Sequence, residues 1–258
     1  MGHIISIVNQ KGGVGKTTTA INLGAYLASL GKFVLLLDLD PQANATSGLG
    51  IDYNNLEKGV YEVLIGKHSL KDIVLNTTMS GYKIAPSTIN LAGANVELVN
   101  LENREFRLEQ AILSARNDYD YILIDCPPSL GLLTVNSLVA AEKLLIPVQA
   151  EYYALEGLGQ LINTINLIKN NVKPNLEVLG AVLTMYDKRN KLSEEILHQL
   201  YQYFPNRIFR SVIPRNVRLT EAPSYGKTIL EYAPKSKGAK AYERLAREII
   251  DLIDFNYY

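Results

Sequence analysis

Short runs of apolar residues alternate along the chain with segments in which apolar residues recur every three or four positions. The continuous runs, which predict buried strands, span 4–8, 33–37, 121–124, 143–148 and 178–185, with a weaker run at 208–213. The helical patterns span 17–30, 97–115, 130–141, 155–169, 193–203 and 238–253. Strands that are apolar throughout and separated by helices predict a mostly parallel, twisted sheet covered by helices on both faces.

No linker, repeat or low-complexity segment interrupts this alternation, so the pattern predicts one α/β domain over 1–258. The single Cys126 excludes an intramolecular disulfide and a four-cysteine metal site within one chain, and it favours a reducing, cytoplasmic location. The sequence also lacks an apolar stretch of about 20 residues and the pattern of a signal peptide, so we expect no membrane span.

A glycine-rich loop joins the first predicted strand to the first predicted helix, and residues 9–19 read NQKGGVGKTTT. Gly12, Gly13 and Gly15 allow the backbone to turn tightly and to bring successive N–H groups close to an oxyanion. The positive end of the following helix adds to the same site. In this arrangement Lys16 reaches the β- and γ-phosphates of a nucleotide, and the Thr17 hydroxyl binds Mg²⁺. The sequence therefore predicts the fold of a P-loop NTPase.

The loop departs from the usual pattern, which has glycine at position 10. This chain has Gln10 there, and Lys11 precedes the glycines. The stretch KGGVGKTT resembles the deviant Walker A loop of the ParA/MinD ATPases, whose cofactors are ATP and Mg²⁺. The resemblance implies that the loop from Lys11 to Thr18, including Val14, binds the nucleotide. It also implies that Lys16 is catalytic and that Lys11 reaches across a homodimer interface to the partner's nucleotide, where it too is catalytic.

Two predicted strands end in aspartates, within LLLDLDPQAN at 35–44 and ILIDCPP at 122–128. Both stretches resemble motifs of the same family. The resemblance implies that Asp40 orients the hydrolytic water, that Asp38 supports the magnesium shell or a switch, and that Asp125 holds the metal through water. From the residues alone, an aspartate at a strand end has a second interpretation, in which it caps the following turn.

Two further stretches, EYYALEG at 151–157 and IPRNVRLTEAPSYG at 213–226, resemble the chromosomal ParA (Soj) branch of the family. Members of that branch partition DNA together with a ParB protein. The resemblance implies a ParB-like partner for this chain. It also implies that Met185, Pro214 and Asn216 lie beside the adenine.

Charge is uneven along the chain, although the formal net charge is zero. Positions 186–240 contain 11 basic and 5 acidic residues, a net charge of +6. The resemblance implies that ATP-bound dimers use basic residues of this half to bind double-stranded DNA without sequence specificity, in association with the nucleoid. Carried over by position, the candidate DNA contacts are Arg189, Arg218, Lys235 and Lys237, followed by Lys188, Arg210 and Arg215. The alternative interpretation is an ordinary solvated surface.

A MinD-like ATPase that associates with membranes is the alternative function. Such an ATPase would end in a basic amphipathic helix. Positions 245–258 instead contain Glu248, Asp251 and Asp254 against Arg247 alone. Anionic lipid would repel this segment, so we expect DNA and not a membrane as the partner.

Overall fold

One sheet organises the fold. The computed structural model describes residues 2–151, 156–187, 189 and 191–254. Within them the strands are β1 (His3–Ile7), β2 (Val34–Asp38), β3 (Leu75–Asn76), β4 (Tyr82–Ala85), β5 (Tyr121–Asp125), β6 (Lys143–Gln149) and β7 (Glu177–Thr184). The strand order is β3-β4-β2-β5-β1-β6-β7. Only β3 and β4 pair antiparallel, and the other neighbouring strands are parallel.

Helices connect the strands. The α-helices are α1 (Lys16–Ser29), α2 (Asn44–Gly48), α3 (Val60–Leu64), α4 (Leu70–Ile73), α5 (Leu91–Glu97), α6 (Arg107–Leu113), α7 (Leu132–Ala140), α8 (Glu156–Asn171), α9 (Lys191–Tyr203), α10 (Val217–Glu221), α11 (Ile229–Tyr232) and α12 (Lys237–Asp254). Short 3₁₀ segments lie at Tyr53–Asn55, Leu98–Asn100, Arg104–Phe106, Arg116–Asp118 and Ala222–Tyr225.

Both faces of the sheet are apolar, because successive residues of a strand point to opposite faces. Ile4 and Leu35 belong to one buried cluster, which α7 and α8 cover. Their neighbours Ile5 and Leu36 belong to a second cluster, which α1 and α12 cover. The predicted fold class, a mostly parallel sheet with helices on both faces, is confirmed.

The predicted strand at 208–213 is wrong. This segment runs beside β7 but forms no continuous ladder with it in the described structure: Ile208 bridges Ala181 of β7, and Pro214 bridges Tyr186 just beyond the strand. Between these bridges, the N–H groups of Arg210 and Ser211 donate to the Glu248 carboxylate in α12, at 2.7 and 3.0 Å. A side chain of the neighbouring helix therefore takes backbone donors that a regular strand would use in a ladder.

Glu248→Ala is expected to lower the free energy of unfolding by about 1–3 kcal/mol, because it leaves two backbone N–H groups without their acceptor and Ser211 is buried. Thermal unfolding followed by circular dichroism measures this as a drop in Tm of about 2–4 °C per kcal/mol. Glu243→Ala on the same helix is the matched control, since its exposed ion pair with Arg247 contributes at most about 1 kcal/mol. Equal melting of the two variants would contradict the bracing role of Glu248.

The predicted helix at 97–115 is wrong in its continuity. α5 ends at Glu97, a 3₁₀ turn follows, and α6 begins only at Arg107. Between them Asn103 adopts a left-handed φ of 52°, which asparagine tolerates better than most residues and which a right-handed helix cannot contain. Of the predicted range, only Arg107–Leu113 is an α-helix apart from the last residue of α5, and 3₁₀ turns at Leu98–Asn100 and Arg104–Phe106 take up much of the rest.

Candidate nucleotide site

The glycine-rich loop lies between β1 and α1, at the edge of the sheet where the parallel strands end. Gly13 and Gly15 have φ values of 74° and 88°, so a side chain at either position would strain the loop. Val14 between them is buried, and its carbonyl accepts a hydrogen bond of 2.7 Å from the Thr184 hydroxyl at the end of β7. The loop is therefore braced by a neighbouring strand end as well as by its own turns.

Lys16 is the first residue of α1 and is 6% exposed. Its Nζ donates to the Lys11 carbonyl at 3.1 Å, so the ammonium folds over the loop. Burial lowers the pKa of Lys16, whereas the charge of Asp125, followed by that of Cys126 and that of Asp40, raises it. A desolvated ammonium over a glycine loop is an arrangement that suits a polyphosphate.

Asp125, at the end of β5, is fully buried, and among the described residues neither of its carboxylate oxygens has a hydrogen-bond partner. Burial and then the charge of Asp38 raise its pKa well above the usual value, while the neighbouring Thr17 hydroxyl and the Lys16 ammonium oppose the rise. Buried carboxylates are ordinarily paired or bound to metal. These orphaned oxygens therefore fit the predicted role of Asp125 and Thr17 as the residues that would hold Mg²⁺, directly or through water.

Asp38 is the neighbour of Asp125 in the register of β2 and β5, and it is also fully buried. In contrast to Asp125, its oxygens are occupied. The Asp40 N–H donates to Oδ1 at 3.2 Å, and the Thr46 N–H and hydroxyl donate to Oδ2 at 2.8 and 2.7 Å. Burial raises the pKa of Asp38 to about 6 despite these bonds. Of the two predicted roles of Asp38, support of the magnesium shell or of a switch, the contacts favour the second, because Asp38 holds the 40–46 segment.

A cavity of about 420 Å³ lies beside the loop. Of the residues predicted to take part in the chemistry, Lys16, Thr17 and Asp40 line it. The predicted loop residues Gly12, Gly13, Gly15 and Thr18 also line it, together with residues that the sequence analysis missed: Ile21, Gln42, Asn44, Ser47, Pro128 and Pro223. Asp40 is held by the Gln42 N–H, which donates to Oδ1 at 2.9 Å. The cavity therefore joins the loop to the segment that follows β2.

Lys11 differs from Lys16. It is partly buried, its N–H donates to the Asn9 side chain at 3.0 Å, and it is not among the described residues that line the cavity. Within the described part of the chain, its ammonium has no hydrogen-bond or ion-pair partner. The Lys11 side chain therefore lies outside the described lining of this cavity.

A second cavity, of about 600 Å³, adjoins the first and shares Gly15, Thr18, Met185 and Pro223 with it. The structure brings the three predicted adenine contacts, Met185, Pro214 and Asn216, together in its wall. The lining residues that the sequence analysis missed are Thr184, Ile213, Arg215, Val217, Leu219, Thr220 and Tyr242. This wall is less polar than the phosphate side, as a binding site for a base requires.

Comparison with known proteins identifies the family. A family model described as an AAA domain (AAA_31) matches residues 2–178. Sporulation initiation inhibitor protein Soj of Bacillus subtilis (strain 168) is 53% identical over 249 residues, which cover 96% of this chain and 98% of that protein. Chromosome partitioning protein ParA of Myxococcus xanthus (strain DK1622) is 51% identical over 250 residues, covering 97% and 88%. The chain belongs to the Soj/ParA family of chromosome-partitioning ATPases.

Solved structures share the fold of this Soj/ParA-family ATPase. Cobyrinic acid a,c-diamide synthase from Mycobacterium smegmatis, crystallised with ADP and magnesium, has a TM-score of 0.88 at 36% identity, covering 99% of this chain and 97% of that one. Septum site-determining protein MinD from Pyrococcus horikoshii, complexed with Mg-ADP, has a TM-score of 0.77 at 28% identity, covering 99% and 98%. The predicted family and enzyme class, with ATP and Mg²⁺ as cofactors, are confirmed.

The predicted DNA contacts of the Soj/ParA-family chain are only partly brought together. Arg189, Arg215 and Lys237 line one open groove of about 920 Å³. Arg210, Arg218 and Lys235 are exposed outside it, and Lys188 lies outside the described residues. The groove adds three basic residues of α12 that the sequence analysis missed, which are Lys240, Arg244 and Arg247.

The same groove contains two acids, Asp187 and Glu243, against six basic residues. Asp187 pairs with Arg189 at 2.7 Å, and Glu243 pairs with Arg247 at 2.9 Å. The lining keeps a formal charge of +4. Along the part of the chain that is described, none of the helices is long and apolar enough to cross a bilayer.

Proposed function

We propose that ATP binding closes two copies of this chain face to face and that the dimer binds DNA without sequence specificity. Through this ATP-dependent dimerisation and DNA binding, the protein partitions a chromosome or plasmid together with a ParB-like partner. The observation that carries the proposal is the different placement of two lysines in one loop. Lys16 is folded over its own phosphate site, whereas Lys11 lies outside the described lining of that site, and its ammonium has no partner among the described residues. A second copy is the natural recipient of that charge.

Within one subunit, the residues have separable tasks. Lys16 and the loop N–H groups bind the β- and γ-phosphates, and the Asp40 carboxylate in the same cavity orients the attacking water. Thr17 and Asp125 would hold Mg²⁺, which when bound neutralises charge on the phosphate oxygens. Lys11 of the second copy stabilises the charge that develops on the transferred phosphoryl group, as an arginine finger does. Turnover then depends on dimerisation, and DNA binding depends on ATP binding and dimerisation but not on hydrolysis.

The basic groove supplies the DNA surface. Its charges are clustered on α12, at Asp187 and Arg189, and at Arg215. Of the described residues that line it, only Tyr186 is aromatic, so the groove offers no row of rings on which bases could stack. Such a surface binds phosphates and not bases. Pro214 and Arg215 line both the groove and the second cavity, so the DNA surface lies directly against the proposed base site.

Binding to plasmid DNA is expected with Mg²⁺ and a non-hydrolysable ATP analogue but not with ADP. If the dimer neutralises about four to eight phosphates, the logarithm of the affinity falls with that of the salt concentration at a slope of about −4 to −7. Gel shift or fluorescence anisotropy at several salt concentrations measures the slope. A flat salt response would refute the proposed surface.

Arg244→Glu is expected to weaken this binding about tenfold or more and to make the salt slope shallower by about one for each phosphate that the variant no longer neutralises. Lys67→Glu is the matched control, because Lys67 is exposed outside the groove and the substitution changes the net charge equally. Equally weak binding by the two variants would show that total charge, and not the groove, sets the affinity.

Liposome flotation tests the MinD-like alternative with the same protein and nucleotides. We expect no flotation on anionic vesicles, whereas ATP-dependent flotation without DNA binding would favour the alternative.

The partner is tested separately, by measuring ATP turnover with DNA and with ParB from the same source. We expect the two together to accelerate hydrolysis. ATP-dependent DNA binding would place the protein on the nucleoid.

A further inference from the structure

A stripe of apolar side chains on the outside of α5 has no partner within the described chain. Ile89, Val96 and Val99, here called the α5 stripe, are 71%, 73% and 51% exposed. Val96 lies in α5, Ile89 in the turn before it and Val99 in the 3₁₀ turn after it, and all three are on the side that faces away from the core. The other side is already used, since Leu91, Ala94 and Leu98 are 0% exposed in the core.

The α5 stripe begins at the edge of the sheet where the phosphate loop lies. Ile89 follows β4, whose neighbour β2 ends in Asp38. The connection between them is physical. The Ser87 N–H donates to the Thr46 hydroxyl oxygen at 3.0 Å, and that hydroxyl donates to Asp38 at 2.7 Å. Two copies that close with their phosphate loops facing each other would bring this edge of each copy to the contact.

The scarcity of charge along the α5 stripe favours a second copy of this chain as its partner. No charged residue occurs from 84 to 96, and the one acid within the stripe, Glu97, accepts a hydrogen bond of 2.7 Å from the Tyr61 hydroxyl. In a two-fold contact between identical chains each surface meets a copy of itself, so a charge near the axis would meet a like charge. An uncharged apolar surface avoids this repulsion. A nucleic acid or a strongly basic peptide would instead favour a surface of opposite charge, which the stripe does not offer.

The α5 stripe offers the apolar area that a stable contact between two proteins needs. A specific interface buries about 800 Å² on each partner, with an apolar centre and a polar rim. The phosphate loop contributes mainly glycines and charged groups, which provide little apolar area. We propose that the α5 stripe forms the apolar part of the contact between two ATP-bound copies of this chain. This inference rests on the proposed function, which requires such a dimer.

Sedimentation velocity with Mg²⁺ and a non-hydrolysable ATP analogue tests the surface through Ile89→Asp and Val96→Asp. The dimer dissociation constant is expected to rise about tenfold or more, because each change places two charges in the contact. The affinity of the monomer for a fluorescent ATP analogue is expected to stay within about twofold, since neither side chain lines the nucleotide cavities. Leu113→Asp is the matched control, as Leu113 is 64% exposed at the end of α6, next to the opposite edge of the sheet.

Three results would overturn the inference. Variants that dimerise as the wild type does remove the stripe from the contact while leaving the proposed function intact. If Leu113→Asp weakens dimerisation as much as the stripe variants do, the effect comes from added charge in general and not from the stripe. A wild type that stays monomeric with the analogue overturns the proposed function and the surface with it. If an aspartate variant does not fold, Ile89→Ser with Val96→Ser makes the same test, with the same expected direction.

Discussion

Replacing Lys11 with alanine is expected to leave ATP binding intact, to abolish ATP-dependent dimerisation and to lower turnover by about 10³–10⁵-fold, the range found for arginine fingers. The physical reason is that Lys11 lies outside the described lining of its own site, whereas Lys16 is folded over the loop. Lys16→Ala is therefore expected to fail one step earlier, in nucleotide binding. Fluorescent-nucleotide titration, sedimentation and phosphate release measure the three steps separately.

A mixing experiment decides whether Lys11 acts on its own subunit or on the partner. Asp40→Ala retains Lys11 but lacks the group that orients water, and Lys11→Ala has the opposite defect. If the lysine acts across the interface, a mixed dimer contains one complete site, and the mixture hydrolyses ATP although neither variant does so alone. No recovery in the mixture, with mixed dimers shown to form, would contradict action in trans.

Asp125→Asn is expected to lower Mg²⁺-dependent turnover by about 10²–10³-fold and yet to stabilise the nucleotide-free protein. The carboxylate is fully buried without a hydrogen-bond partner in the described structure, and burial raises its pKa in the folded state. A carboxyl group with a raised folded pKa contributes its full stability below the unfolded pKa of about 4, and this contribution disappears as the pH rises through the folded value. Asparagine cannot ionise, so the variant avoids this pH-dependent destabilisation.

Thermal unfolding without nucleotide at pH 7–8 measures this gain, which we expect to be about 1 kcal/mol, or about 2–4 °C in Tm. Asp38→Asn is the matched comparison, because the neighbouring carboxylate accepts three hydrogen bonds. The amide NH₂ of the variant would face one of the N–H or O–H donors from which the carboxylate now accepts. The variant is therefore expected to have a lower Tm than the wild type. If Asp125→Asn also has a lower Tm than the wild type, this result would contradict the inference that the Asp125 carboxylate lacks hydrogen-bond partners.

The sheet and the phosphate loop can be predicted because local sequence determines them. Strands such as β2 and β5 are apolar throughout, and a lysine and threonine after a glycine loop have one common use. β4 escapes prediction because it is four residues long and carries the exposed Lys83. The segment at 208–213 reads wrongly as a strand because its partner, Glu248, lies some forty residues away and no local pattern reveals it.

The residues of the candidate site are largely predictable, but their surroundings are not. Asp38 and Asp125 both follow apolar strands, and sequence cannot show that one accepts three hydrogen bonds while the other accepts none from the described residues. Arg244 and Arg247 escape prediction because the excess of basic residues along the chain ends at 240. Their place in the groove becomes visible only when α12 lies against the 186–189 segment. Burial and distant contacts, and not residue type, separate these cases.

The hydrogen bond from Thr184 to the Val14 carbonyl has a consequence for how fast the protein responds to its ligand. A loop that is already fixed by folding loses little further conformational entropy on association, so capture needs no slow ordering step. The Lys16 ammonium has three N–H donors, so it can keep its bond to the Lys11 carbonyl while it donates to a phosphate. Capture of a triphosphate thus requires no prior rearrangement of the loop or of its lysine.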